Sequence, residues 1–365
     1  MTSLKNSKVI DTFLKIIQID SPTGFEHEMS KEIKIFLDKI GLKAKIDKNG
    51  NVIAFLEGNR KLDPYMLNAH LDTVEPGRGI KPKIVNGWIR SSGSTILGAD
   101  NKAGVAAILE AINKIVSEKS DPRVRHPLEI IFTTSEESGN YGAAKLNYSK
   151  LKSKLGYSFD ISSVNLGDIM ISAPFYNRID IEIVGKSEHA KNPEKGINVL
   201  PVFGEVITKL KLGRISNNTI ANIGVVKIGT AVNSIPGSAT ISGEVRSTVE
   251  KELEDTTKRI INVFKSVVSE SKTKLEVKVT RENGGYKYDK GDEFVTKTVK
   301  VIQSFGLKPK LIDSFGCADA NIFAEHGIKM LSIADGSQSA HTFDERIRVS
   351  DLEKLETLVY ELVTN

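Results

Sequence analysis

The chain has very little cysteine. A single residue, Cys317, is found in 365. One thiol cannot form a disulfide within the chain, and it cannot build a cysteine-rich zinc or iron–sulfur site. Long apolar runs are also missing. No stretch of about 18 apolar residues occurs, so no membrane-spanning helix and no membrane partner are expected. Charge of one sign is not in large excess: 51 Lys and Arg stand against 46 Asp and Glu, for a net +5. Nucleic-acid binding, which shows as a clustered basic patch, is not expected. Met1 to Asp20 has Val9, Ile10, Phe13, Leu14, Ile16 and Ile17 at helical spacing, broken by Asp11, Lys15 and Asp20. That is an amphipathic helix rather than the apolar core of an export signal. A reducing cytoplasm is the simplest expectation, and the sequons at Asn147 and Asn217 then carry no meaning.

What is present is ordinary globular composition, with 39% hydrophobic and 27% charged residues. The length suggests two domains or three. In the first half, helices and strands alternate. Glu26–Ile40 reads as a helix, Lys43–Leu56 as a hairpin turning at Asn49-Gly50, and Tyr65–Leu71 as a buried strand. Asn101–Ser117 follows as a helix and Leu128–Thr134 as a second buried strand. This is the pattern of an α/β domain with a mostly parallel sheet and helices on both faces. Beyond Tyr176 the order becomes β-α-β-β-α-β, over Arg178–Val184, Asn198–Leu212, Thr219–Thr230, Ser238–Ser247, Glu250–Ser269 and Lys274–Arg281. That order is ferredoxin-like. A helix at Glu293–Phe305 then resumes the first pattern. The expected organisation is a discontinuous domain, 1–176 and 288–365, with 177–287 inserted in it.

Four clusters carry chemistry. In Asn68-Ala-His70-Leu-Asp72-Thr, the His and Asp point to one face of a strand end. One can bind a metal while the other orients it, or the two are a surface polar pair. Gly98-Ala-Asp100-Asn-Lys-Ala-Gly104 is a glycine-bounded turn before a helix. Its spacing is that of neither a dinucleotide fingerprint nor a P-loop. Asp100 there suits a cation, or Asp100 or Asn101 simply caps the helix. Thr133-Thr-Ser-Glu136-Glu137-Ser-Gly139 follows a buried strand, at the end where α/β sheets bind ligands. One glutamate could ligate and the other act as base, or both form a solvated acidic loop. Gly336-Ser-Gln-Ser-Ala-His341-Thr-Phe-Asp-Glu345 precedes the last helix, and a lone histidine is more often structural. Taken together, the first three place a histidine and four carboxylates at one sheet edge.

These motifs, in this order, resemble the zinc aminoacylase, carboxypeptidase G and peptidase T family of metallopeptidases, and most of all its peptidase T-like branch. The resemblance runs from Ser21-Pro-Thr-Gly-Phe-Glu26 to Arg346-Ile-Arg-Val-Ser-Asp-Leu. It implies two zinc ions, with cobalt or manganese as substitutes. His70 would bind one ion, Asp100 would bridge both, and Glu137 and His341 would hold the second. Asp160 would complete the first, ahead of Asp168. Asp72 would orient His70, and Glu136 would be the general base. The inserted domain would be the family's lid and dimerisation domain, making a homodimer. His189 would polarise the substrate carbonyl, or is a surface histidine. Asn233 would bind substrate. Arg246 would hold a substrate carboxylate, or is an ordinary strand-end charge. The implied activity is hydrolysis of short peptides by a tripeptide aminopeptidase; the alternative is an N-acyl amino acid deacylase or carboxypeptidase on the same scaffold. Two departures stand out: Asn101, where many relatives have aspartate, and Phe315-Gly-Cys317-Ala-Asp319, where relatives often have a more glycine-rich run. Cys317, with no paired base, reads as a small buried side chain.

Overall fold

Apolar runs with almost no polar interruption form strands buried on both faces. Tyr65–His70 and Leu128–Thr133 are buried at every position, and Leu155–Ile161 and Lys329–Ala334 over most of their length. These four lie side by side as the parallel centre of one sheet, in the order Leu128–Thr133, Tyr65–His70, Leu155–Ile161, Lys329–Ala334. Val52–Leu56 extends the sheet antiparallel on one side, with Lys45–Ile46 beyond it, and Ile169–Ala173 pairs antiparallel on the other. The hairpin between the first two turns where expected, with Gly50 at φ +94°.

The computed structural model describes residues 7–118 and 125–364. The chain divides into two units. One runs to Ile171 and resumes over Tyr288–Asp313 and from Ala318; the other comprises Ser172–Lys287 and Ser314–Cys317. In the first, helix Ala99–Ser117 packs on strands Tyr65–His70 and Leu155–Ile161, and helices Lys8–Ile16 and Val349–Thr364 pack on that helix. The first helix has Val9, Ile10, Phe13 and Ile16 buried, as its spacing requires. The first six residues of the expected Met1–Asp20 stretch lie outside the described residues. Among the described residues no helix is long and apolar enough to cross a membrane.

The second unit has its own core. In Phe175–Val184, Ile179, Ile181 and Ile183 are buried and alternate with Arg178, Asp180 and Glu182. A strand that alternates in this way has one covered face. Its cover includes helix Glu250–Ser269, which buries Leu253, Ile260, Phe264 and Val267 in the same cluster. The sheet is antiparallel throughout, in the order Gly213–Arg214, Thr219–Ile228, Ser238–Ser247, Phe175–Val184, Lys274–Asn283. Its four long strands have the ferredoxin-like arrangement. Cys317 differs from expectation: it is half-buried, with Sγ 3.9 Å from the Pro174 carbonyl oxygen. It sits on a loop, outside the helices and strands.

Candidate active site

Each parallel strand delivers polar residues from its carboxyl end, where open α/β sheets form their ligand crevice. His70 ends strand Tyr65–His70, and Asp160 lies near the end of Leu155–Ile161. Glu136 and Glu137 follow Leu128–Thr133, and His341 lies in the loop after Lys329–Ala334. Asp100 comes from the turn entering helix Ala99–Ser117. Asp100 and Asn101 have non-helical backbone angles there.

The Asp100 carboxylate faces two histidines. Its Oδ1 is 3.3 Å from His70 Nε2 and its Oδ2 is 3.6 Å from His341 Nε2. Each histidine has a second carboxylate. Asp160 Oδ1 is 3.5 Å from His70 Nε2, and Glu137 Oε1 is 2.7 Å from His341 Nε2. Ligand atoms of His70, Asp100 and Glu137 all lie within 4.8 Å of one another. Two imidazoles and three carboxylates converging in this way suit a divalent cation of borderline softness, so a metal fits the residues present. Asp168 is elsewhere: it accepts the Lys310 N–H at 2.7 Å and turns the chain into the next strand.

The electrostatics show how costly the cluster is in the protein alone. Burial lowers the pKa of His70, yet the surrounding Asp160, Asp100 and Asp72 hold it well above the ordinary value. For His341, chiefly the Glu137 hydrogen bond raises the pKa to about 9. Glu136 is pushed well up by burial and then by Asp160, with Asp319 and Glu137 adding to it. Asp72 is the opposite case. Burial pushes it up, but the His70 hydrogen bond and charge outweigh that, and it stays below the usual range. It is also well satisfied, accepting from the N–H groups of Glu136 and Glu137 at 3.0 and 3.1 Å and from Thr23 Oγ1 at 2.8 Å. His70 Nδ1 meets the Asp72 carbonyl oxygen at 3.0 Å and its carboxylate at 3.4 Å, which fixes the ring.

Several participants carry no distinctive sequence signal. Glu345 is buried and accepts three backbone N–H groups of the Asp100 turn: Leu97 at 2.8 Å, Gly98 at 2.7 Å and Asp100 at 3.0 Å. Asp319 accepts from Thr133 Oγ1, and from Asn140 Nδ2 at 3.3 Å. Asn140 also donates to Glu136 Oε1 at 2.9 Å. Burial raises Asp319 to about 6. Lys102, on a helix that begins at this turn, is fully buried and donates to the Ile19 carbonyl oxygen at 2.9 Å; burial lowers it to about 7. Glu345, Asp319 and Lys102 all lie within segments that the motifs mark, but nothing in those segments shows which partners they bond.

The remaining expected site residues belong to the second unit. His189 pairs with Ser234 across a two-residue ladder, and the Ala190 N–H donates to the Asn233 carbonyl oxygen at 2.9 Å. His189 and Asn233 are thus neighbours, and both are exposed. Arg246 is stacked on Tyr176, 4.5 Å from the ring centre, and bonded to Glu244 at 3.0 Å and to the Phe315 carbonyl oxygen at 3.1 Å. Of the histidines without a role, His126 stacks on Tyr65 and His326 on Tyr148.

The chain is similar to known proteins. Residues 66–365 match the model of peptidase family M20/M25/M40. The chain is 34% identical over 370 residues to an uncharacterised protein, YqjE, of Bacillus subtilis, covering 99% of this chain and 98% of that one. It is similar to the crystal structure of aminopeptidase PepT from Bacillus cereus ATCC 10987, with 34% identity, a TM-score of 0.90, and coverage of 98% and 97%. It is also similar to that of a tripeptidase from Staphylococcus aureus, with 31% identity, a TM-score of 0.92, and the same coverage. The chain belongs to peptidase family M20/M25/M40.

Proposed function

We propose that the protein is a metal-dependent tripeptide aminopeptidase, and that its site holds two zinc ions. The observation that carries this is the Asp100 carboxylate, whose two oxygens face two histidines, each with a further carboxylate of its own. His70 and Asp160 would hold one ion, His341 and Glu137 the other, with Asp100 shared. When bound, such ions polarise the scissile carbonyl and lower the pKa of a coordinated water towards neutral. The chain's own residues do the rest. Asp72 holds the His70 ring from behind, so that Nε2 faces the donor set. Glu136 stands beside that set, its Oε1 fixed by Asn140. It accepts a proton from water as the water oxygen bonds to the peptide carbonyl carbon, and returns that proton to the amine nitrogen as the C–N bond breaks. Its burial favours proton uptake, which suits a base working near neutral pH.

His189, Asn233 and Arg246 are the substrate contacts in this reading. A homodimer through the inserted unit and a cytoplasmic location complete the proposal.

The test compares a free tripeptide, its N-acetylated form and an N-acetyl amino acid, with metal content measured by elemental analysis. Release of the first residue from the free tripeptide alone, with two zinc ions per chain, is expected. Faster hydrolysis of the N-acetyl amino acid would overturn the peptidase reading in favour of the deacylase.

A further inference from the structure

The Ser21–Glu26 segment precedes the residues matched to the family model. Its bonds are specific. Pro22 bridges to Thr73 in parallel, with Thr73 N–H on the Ser21 carbonyl at 3.0 Å and Thr23 N–H on the Thr73 carbonyl at 3.1 Å. Ser21 Oγ donates to the Leu71 carbonyl at 2.8 Å. The loop is thereby tied along residues 71–73, and Thr23 Oγ1 reaches Asp72 Oδ2.

Glu26 reaches further. Only 6% exposed, it accepts three hydrogen bonds on one oxygen, Oε1: from Gly24 N–H at 2.9 Å, Ser135 N–H at 3.0 Å and Ser135 Oγ at 2.9 Å. Ser135 directly precedes Glu136, and its φ is +55°. Side chains other than glycine, asparagine and aspartate rarely adopt that left-handed conformation, and they persist in it only where the surroundings impose it. Three successive N–H groups, those of residues 135, 136 and 137, are thus held by two buried carboxylates, Glu26 and Asp72.

We propose that Glu26 is a positioning residue: it holds Ser135 in the left-handed conformation and so aims Glu136. Without that hold, Ser135 relaxes to a right-handed or extended conformation, and the turn that carries Glu136 rotates. The inference rests on the assignment of Glu136 as base in the proposed reaction. It needs no metal, because every bond in it is made by the chain alone.

The experiment uses four variants of the full chain: Glu26→Ala, Glu26→Gln, Ser135→Gly, and Glu26→Ala with Ser135→Gly. Misplacing a reacting group by about 1 Å costs roughly 100-fold in rate. Glu26→Ala is therefore expected to lose about 10- to 100-fold in kcat, with KM within about twofold and metal content that of the parent. Glu26→Gln is expected to recover most of that loss, because its single carbonyl oxygen can take all three bonds. Adding Ser135→Gly to Glu26→Ala is expected to restore about tenfold, since glycine adopts positive φ freely. A double variant as slow as Glu26→Ala overturns the proposal. So does a Gln variant as slow as the Ala variant, or a kcat loss matched by loss of metal. If Glu26→Ala does not fold, the Gln and Ser135→Gly variants decide, a kcat loss above about tenfold in either being the overturning result. Failure of the parent to cleave any tripeptide instead refutes the peptidase reading. The crystal structure of Glu26→Ala then decides this inference separately: Ser135 still at positive φ overturns it, and a relaxed Ser135 supports it.

Discussion

Replacing Glu136 by glutamine should make the protein inactive and, when metal-free, more stable. The carboxyl is buried beside Asp160, Asp319 and Glu137, and both burial and these neighbours raise its pKa. A general base contributes about 10²–10⁴-fold to rate, which at 1.36 kcal/mol per decade is about 2.7–5.4 kcal/mol of barrier. The amide cannot take a proton, so kcat should fall by that factor. It is nearly isosteric, and its carbonyl oxygen can still accept from Asn140 as Glu136 Oε1 does at 2.9 Å. Its NH2 group then faces carboxylates in place of a like charge. The sign with pH follows from linkage. A carboxyl raised in the folded state contributes stability that is fully present below its unfolded pKa and is lost as pH rises through the folded value. Metal-free parent protein should therefore weaken more steeply than Glu136→Gln as pH rises above about 4.5, the ordinary glutamate value. The gap in Tm between them should widen. Steady-state kinetics on a tripeptide, elemental analysis and thermal melts of chelator-treated protein from pH 5 to 8 supply the measurements. A kcat within about threefold of the parent refutes the role as base. A lower metal-free Tm for the glutamine variant refutes the electrostatic account.

Three other outcomes are expected. His341→Ala should lose one of the two proposed ions, read by elemental analysis. Glu345→Ala leaves the N–H groups of Leu97, Gly98 and Asp100 without their shared acceptor, and should weaken metal binding by about 10- to 100-fold in a competitive chelator titration. Asp292→Ala removes the N-cap bonds to Phe294 and Val295 and the partner of Lys329, and should cost about 1–2 kcal/mol in urea unfolding. Burial raises the Asp292 pKa, but the Lys329 bond and the cap N–H groups outweigh it and hold it below the ordinary 3.8. The stabilisation is thus present above that value and fades as pH falls through the lower folded pKa, so the two proteins should converge in strong acid.

The sequence made the metal-binding candidates visible for a physical reason. His70 and Glu137 follow runs too apolar to be anything but buried strands, so charges at their ends had to face a crevice. The inserted unit was legible because its strands alternate and its helices carry one apolar stripe. Other parts depend on partners far along the chain. Pro82–Val85, Trp88–Ser91 and Arg346–Arg348 form a small sheet of short strands, two of them adjacent and the third some 250 residues away by pairing of Arg90 with Arg346. Glu345 and Glu26 act by accepting backbone N–H groups, which any segment has, so no motif marks their targets. Lys102 is buried against the Ile19 carbonyl, a placement set by tertiary packing that no local pattern marks.

The strand Lys329–Ala334 sits inside the sheet, between Leu155–Ile161 and Ile169–Ala173, rather than at its rim. The order of synthesis therefore matters. As the chain leaves the ribosome, His70, Asp100, Glu137 and Asp160 emerge long before the strand that carries the chain on to His341. Until residue 334 is out, Leu155–Ile161 lacks one neighbour and presents an unpaired backbone edge. The nascent protein thus has a long interval in which an apolar slot lies open, and a chaperone that shields this slot would act on a gap that only the last part of the chain can close.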